Sequence, residues 1–338
     1  MSRGIFRLKQ VYEEQLSGQW STRGDVWNVP SPFSSSSPAP FGYVAGGYSN
    51  ETDDLSLIDR IDYSNDTASS LIRGPLSATN RVMGGASNGS FGYFGGGTGG
   101  SRVDRIDYSN DTATATPKGL LSSPGPWYGA AAVGNLHFGY FSGDSPGPES
   151  TVSRLDYSND TATGLSKGPL SVARGEIGAA GNLNFGYFGG GGDPLKSTVD
   201  RIDYGNDTAT ASPKGPLTVA RESIMATGNA SFGYFGGGGT PSFVSTVDRI
   251  EYSNDTTAAS TKGPLSVAGG FGSATGNSSF GYFFDYYYGG IDRIDYSNDT
   301  ATASVRGTFT NFANFRYWTG ATSRKEDGHP DTSNISPV

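Results

Sequence analysis

The chain has 338 residues, with 52 Gly, 12% aromatic and 17% charged residues, a formal net charge of −8 and no Cys. Without thiols, disulfide scaffolds, zinc fingers, iron–sulfur clusters and cysteine nucleophiles are excluded. The acidic balance argues against a nucleic-acid footprint, no apolar run is long enough to insert into a membrane, and the aromatic content argues against disorder.

Residues 1–40 stand apart from everything that follows. Ile5, Leu8, Tyr12 and Leu16 have helical spacing, although Phe6 and Leu8 could equally alternate along a strand. Trp20, Trp27 and Phe33 come next, in a stretch that ends in Pro30-Ser31-Pro32 and Ser34 to Ser37, a linker composition. Two Trp in such an arm need a surface to bury them. Either the arm packs on its own domain or it docks on a partner; the expectation is an anchoring arm using Phe6, Leu8, Tyr12, Leu16, Trp20 and Trp27. Its first residues carry charges where a secretory signal has its apolar core, so the usual secretion route is not expected.

From Phe41 the chain repeats. Phe-Gly-Tyr begins at 41, 91, 138, 185, 232 and 280, at intervals of 50, 47, 47, 47 and 48 residues. A period in the high forties, rich in Gly and without 3.6-residue apolar spacing, points to propeller blades of four short strands and not to a helical solenoid. Within one repeat, the small-residue run Gly175–Ala180 is read as the innermost strand and Gly181-Asn182 as a hairpin. Phe185–Phe188 is the second strand, Val199–Tyr204 the third, Gly205-Asn206-Asp207 a turn, and Thr208–Ala211 the outermost strand. The first repeat lacks an innermost strand, and the last is followed by Phe315–Gly320 at the place where one belongs. The expected architecture is therefore an all-β, six-bladed propeller over 41–322, closed by a C-terminal innermost strand, with a polar tail at 323–338 that frays.

The recurring turn Ser-Asn-Asp-Thr offers too few carboxylates for a calcium loop and is read as self-capping. Arg60, Arg105, Arg154, Arg201, Arg249 and Arg293 recur on every third strand, which suits ion pairing between blades better than catalysis. His137 and His329 have no ligand-spaced partner, so neither a metal nor acid–base chemistry is expected. Gly189 to Gly192 lead into Asp193-Pro194, not into the Lys-Ser/Thr of a phosphate loop. No cofactor and no catalytic residue are expected.

Variation between repeats gathers on one face. The hairpins and Ser-Asn-Asp turns of one face barely change. The opposite loops carry Thr52-Asp53-Asp54, Pro146-Gly147-Pro148, Pro194-Leu195-Lys196 and Pro241-Ser242-Phe243, and also Pro124 to Tyr128 and Phe284 to Tyr288. Loop variation on one face is how repeat proteins build binding surfaces. Trp127, Tyr128, Phe243, Phe284, Tyr286, Tyr287 and Tyr288 are the candidates for contact with a glycan or a protein. The alternative is that these aromatics fill gaps left by missing Gly turns.

The repeat resembles the Kelch family. Gly doublets end the second strand at Gly46-Gly47, Gly95-Gly96, Gly189-Gly190 and Gly236-Gly237. Val103-Asp104-Arg105-Ile106-Asp107-Tyr108 and Gly168-Pro169-Leu170-Ser171-Val172-Ala173-Arg174 are similar to Kelch segments, although Ala113, Ala209 and their equivalents stand where a Kelch Trp closes the fourth strand. Phe-Gly-Tyr-Phe-Gly-Gly-Gly and Asp-Arg-Ile-Asp-Tyr-Ser-Asn-Asp-Thr-Ala-Thr also resemble repeats in proteins of marine cyanophages. That resemblance implies a non-enzymatic virion protein, of tail, fibre or capsid surface. Its expected partners are other virion proteins through residues 1–40 and a host surface glycan or protein, in a multicopy assembly. An intracellular Kelch-type adaptor is the alternative; a sialidase- or lyase-like carbohydrate-active enzyme would need paired carboxylates that cannot be singled out here.

Overall fold

The computed structural model describes residues 41–50, 53–123, 127–144, 147, 149–285, 289–310 and 316–323. These all fall in one compact unit, Ser37–Thr332. The expectations placed on 1–40, on Tyr286, Tyr287 and Tyr288, and on the tail beyond Ser323 lie outside the described residues.

The described chain is all-β: six four-stranded antiparallel sheets and one small three-stranded sheet. Five sheets are built wholly in sequence order, as in sheet 4, which runs Gly178–Gly181, Phe185–Gly189, Val199–Asp203 and Ser212–Pro213. Sheets 2, 3, 5 and 6 have innermost strands Met83–Ser87, Tyr128–Gly134, Met225–Gly228 and Ser273–Gly276. Sheet 1 differs. Its second strand, Phe41–Ala45, pairs with Gly320–Ser323 from the far end of the described chain, with Gly42 opposite Ser323 and Ala45 opposite Gly320. Each innermost strand lies against that of the next sheet, and sheet 6 returns to sheet 1, so the six form a closed circle. Gly, Ala and Thr from these strands enclose an axial cavity of about 70 Å³.

Both faces of every inner sheet are covered by neighbours, which is why the strands lack an apolar–polar alternation. In sheet 4, Tyr187 is opposite Arg201 and Phe188 opposite Asp200. Tyr187 and Arg201 therefore share one face. Both reach Asp255 of the next sheet: Tyr187 Oη donates to Oδ2 at 2.9 Å and Arg201 Nη1 to the same oxygen at 2.7 Å. Lys214 Nζ lies 3.4 Å from the other oxygen. The same clasp recurs as Tyr43 and Arg60 on Asp111, Tyr93 and Arg105 on Asp160, Tyr140 and Arg154 on Asp207, and Tyr234 and Arg249 on Asp299. Tyr282 and Arg293 on Asp66 join sheet 6 to sheet 1. The recurring third-strand arginines thus pair between sheets.

The third-strand tyrosines add an aromatic layer to each junction. Tyr252 stacks on Tyr187 with centroids 4.8 Å apart, and Arg201 lies 4.2 Å over Phe185. Burial, then the carboxylate beside it, pushes the Tyr187 hydroxyl up, so it remains a donor. Burial alone would push the Asp207 carboxyl up, but bonds from Lys167, Tyr140 and Arg154 outweigh it and hold the group below its ordinary value. The turn aspartates are therefore occupied by protein cations. Junction spacing also explains one glycine of the Lys-Gly-Pro-Leu segment: a Cβ on Gly168 would sit 1.8 Å from the Ala209 carbonyl oxygen of the next sheet.

Three strand assignments differ from the sequence reading. The closing strand is Gly320–Ser323, not Phe315–Gly320; Arg316–Tyr317 pairs in the small sheet instead, and Ser323, expected to begin the fraying tail, is buried in the strand. The outermost strand is Ser212–Pro213, not Thr208–Ala211. Asp203 accepts from Gly205 N and caps a 3₁₀ turn over Tyr204–Asn206, after which Ala209 N bonds Asn206 O and Ala211 N bonds Pro169 O of the preceding repeat. The Thr-Ala run is thus consumed by a turn and a junction. The innermost strand starts at Gly178 and not Gly175, because Glu176 has a left-handed φ of 53°.

Candidate functional site

The loop face surrounds the mouth of the axial cavity. Six equivalent residues form its rim, Gly129 at the irregular start of its innermost strand and the others just before theirs: Val82, Gly129, Glu176, Ser223, Phe271 and Trp318, with φ between 53° and 61°. Backbone bonds run around it, from Val82 N to Trp318 O (2.7 Å), Trp318 N to Phe271 O (2.5 Å), Phe271 N to Ser223 O (3.3 Å) and Ser223 N to Glu176 O (2.8 Å). Left-handed φ is costly for side chains other than Gly, above all for a β-branched one such as Val82. Here the belt of bonds from neighbouring sheets holds it.

One side of the rim is aromatic. Phe271 meets Trp318 edge to face at 5.6 Å and meets Phe243 at 5.4 Å. Trp318 continues to Tyr317 (4.6 Å) and Tyr48 (6.3 Å), which the small sheet Arg316–Tyr317, Tyr48–Ser49, Asp53–Asp54 places beside it. The Arg81 guanidinium sits 5.1 Å over Trp318 and pairs with Asp54 at 3.2 Å. These aromatics are half-buried, leaving part of each ring to solvent.

The other side is acidic. Glu176 accepts from the Ser223 hydroxyl. Burial, followed by the carboxylates of Glu176 and Asp193, pushes the Glu222 carboxyl above its ordinary range. Among the described residues no group of three or more His, Cys, Asp and Glu is arranged to hold a metal ion.

The candidates named from sequence separate sharply. Phe243 joins the aromatic arc. Trp127 does not: it is 1% exposed, and its indole Nε1 donates to Ser123 O at 3.1 Å. Phe284 is likewise buried, against Phe309 at 5.6 Å. Both expectations of exposure are corrected. Tyr128 opens a strand paired to Asp144, but its side chain lies outside the described residues.

Trp127 is buried because of the slot it fills. Gly97 N bonds Trp127 O as Gly191 N bonds Arg221 O and Gly47 N bonds Asn80 O, so these residues are equivalent. In sheets 4, 5 and 1 the slot holds Arg174, Arg221 and Arg316, each paired inside the sheet with Asp200, Asp248 and Asp59. Sheet 3 replaces Arg by Trp127, and Ser153 stands where Asp would be. Sheet 6 has lost only half the pair: Gly269 fills the slot while Asp292 stays, bonded by Ser266 N at 2.8 Å.

Asp292 consequently has its carboxyl pushed up by burial. A carboxyl raised in the folded state weakens folding at neutral pH, and the penalty fades as pH falls through the folded value toward the unfolded one. Asp292→Asn is expected to stabilise by on the order of 1 kcal/mol at pH 7 and to be neutral near pH 3. Urea titrations at both pH values check this; a loss of stability at pH 7 would contradict it.

Tyr48, Arg81, Glu176, Phe271, Tyr317 and Trp318 were not singled out from sequence. The signal was there in one column: across the repeats, the rim position reads Val, Gly, Glu, Ser, Phe and Trp.

No family profile matches the chain, and no curated protein is similar to it. A solved structure, that of YjhT, is similar over 72% of this chain and 88% of that one, with a TM-score of 0.59 and 11% sequence identity. That likeness concerns the fold, which is of the β-propeller type.

Proposed function

We propose that this chain is a six-bladed, Kelch-like propeller that serves as a non-enzymatic recognition module on a virus particle, anchored by residues 1–40 and binding the host surface through its loop face. The observation that carries the reading is the contrast between the two faces. The hairpin face repeats one set of clasps in every sheet, whereas the loop face brings unlike residues to one rim, with aromatics of sheets 5, 6 and 1 in a continuous arc. Half-exposed aromatics beside polar groups suit recognition. The Arg of Pro-Leu-x-x-x-Arg is buried on an Asp of the third strand in Arg174–Asp200 and Arg221–Asp248, which gives that motif a structural role. The recurring carboxylates favour a structural role, since Tyr, Arg and Lys already occupy them.

The test is compositional and then genetic. Mass spectrometry of purified particles is expected to find the chain, and deletion of residues 1–40 is expected to leave a soluble propeller that no longer joins the particle. Added free propeller should compete with particle adsorption to host cells. Absence from particles, together with capture of an intracellular protein by the loop face, would favour the adaptor reading instead.

A further inference from the structure

We infer that the rim cavity is the ligand seat and that it takes the uncharged pyranose end of a host-surface glycan, to the exclusion of acidic sugars. This rests on the reading that the loop face binds the host surface, and it adds a place and a chemical class. The cavity, of about 50 Å³, is a dimple on the axis walled by Val82, Glu176, Ser223, Phe271 and Trp318. Neither this dimple nor the axial cavity of about 70 Å³ below it reaches the roughly 150 Å³ that encloses a six-membered ring, so a sugar lies across the mouth against the rim walls. A sugar ring therefore stops at the rim and does not thread the channel.

The walls match the two sides of a pyranose. Phe271 and Trp318 stand at 78° to each other and offer an apolar corner for the C–H face of a sugar. The orientation of Trp318 is set before binding: Arg81 covers it at 5.1 Å, Tyr317 and Tyr48 hold its flank, and its backbone N and O are both bonded within the belt. Preorganised rings bind without the cost of ordering them. Opposite stands Glu176. The Ser223 hydroxyl donates to its Oε2, which leaves Oε1 of this lining residue as an acceptor for a sugar hydroxyl.

Charge selects among sugars. Glu176 is the one charged side chain among the described residues that wall the cavity. Behind it, Glu222 has its carboxyl pushed up by burial first and then by the neighbouring carboxylates of Glu176 and Asp193. The nearest cation of the arc, Arg81, is paired with Asp54. A uronic or nonulosonic acid would thus meet the Glu176 carboxylate and no cation among the residues that wall the cavity, whereas hydroxyl and N-acetyl groups meet an acceptor and rings.

The test uses the full chain on a glycan array, with calorimetry on the best binders. Oligosaccharides ending in glucose, galactose or N-acetylglucosamine are expected to bind, and those ending in a carboxylated sugar are not. Trp318→Ala should weaken binding by about tenfold or more. Because Trp318 also packs on its neighbours, Glu176→Gln is the second variant: it leaves the fold intact and should weaken the same sugars severalfold. Preference for acidic sugars, for free amines, or neutral binding unchanged in both variants would overturn the assignment. Host-cell binding by the wild-type chain separates the two levels. If it occurs and is lost with Phe243→Ala while neutral sugars fail, only the ligand class falls; if the chain does not bind host cells, the recognition reading falls with it.

Discussion

Asp248→Ala is expected to remove about 3–5 kcal/mol of folding free energy, among the largest effects of any single substitution in the described residues. Arg221 and Asp248 are both fully buried, joined through Nη1 and Oδ2 at 2.8 Å. The aspartate also receives the Thr218 backbone N at 3.0 Å and the Thr218 hydroxyl at 2.7 Å. The arginine spends its remaining donors on carbonyls, Nε on Gly237 O at 2.8 Å and Nη2 on Phe235 O at 3.0 Å. Removing the carboxylate leaves a guanidinium without countercharge in a place that water does not reach. Attraction within the pair is not what is lost; the uncompensated charge is what the fold must then bear.

That distinction can be measured, and the molecule suggests how. Sheet 3 carries neither charge, having Trp127 and Ser153 at the two places. Arg221→Met combined with Asp248→Ser imitates that solution with an apolar stem and a small hydroxyl. The double variant is expected to lose less than Asp248→Ser alone, and with Arg221→Met as the other single variant the double-mutant cycle, read by urea unfolding, should give a coupling of at least ~2 kcal/mol. Additive losses would mean that the pair is no more than two independent hydrogen-bonding groups. The same reasoning places Asp292→Asn on the opposite side of zero, since its sheet has already lost the arginine.

Much of this was legible in the sequence, for a physical reason that also marks where legibility ends. Junctions between sheets are made by residues that must recur, so Arg201 and its equivalents announce a pairing role by their spacing alone. Even so, the tyrosine of Phe-Gly-Tyr was not linked to the turn aspartate, because those residues lie 68 positions apart in Tyr187 and Asp255 and belong to different repeats. Thr208–Ala211 has strand composition yet forms a turn, since a cap from Asp203 and a bond to Pro169 outweigh β propensity there. Trp127 was read as exposed because its neighbours in sequence are Pro and Gly, whereas its neighbours in space are those of a buried arginine slot. The rim was hidden for another reason: Glu176, Phe271 and Trp318 sit in left-handed conformations that Gly would normally mark.

Closure of the circle makes the last and largest expectation. Ending the chain at Thr310 would remove Arg316–Tyr317 and Gly320–Ser323, leaving sheet 1 without its innermost strand and Asp59 buried without Arg316. The uncompensated carboxylate alone is worth about 3–5 kcal/mol, and exposing the facing strands of sheets 1, 2 and 6 adds to it. A loss of that size consumes most of the stability of an ordinary domain, so the truncated chain is expected to lose its cooperative unfolding transition at 25 °C. The register shows how to restore it. Gly42 faces Ser323 just as Gly186 faces Gly181 in sheet 4, where the hairpin from Gly181 to Phe185 joins the two strands. A permuted chain that begins with Arg316–Ser323, continues through an Asn-Leu-Asn connection copied from 182–184 into Phe41, and ends at Thr310 makes sheet 1 local in sequence, like sheets 2 to 6. Its transition should return to within ~1 kcal/mol of the parent, since the missing hairpin is supplied and no contact of the strand is changed. If the permutant stays unfolded while the parent is stable, the innermost strand of sheet 1 contributes more than its place in the register, and the closure argument fails.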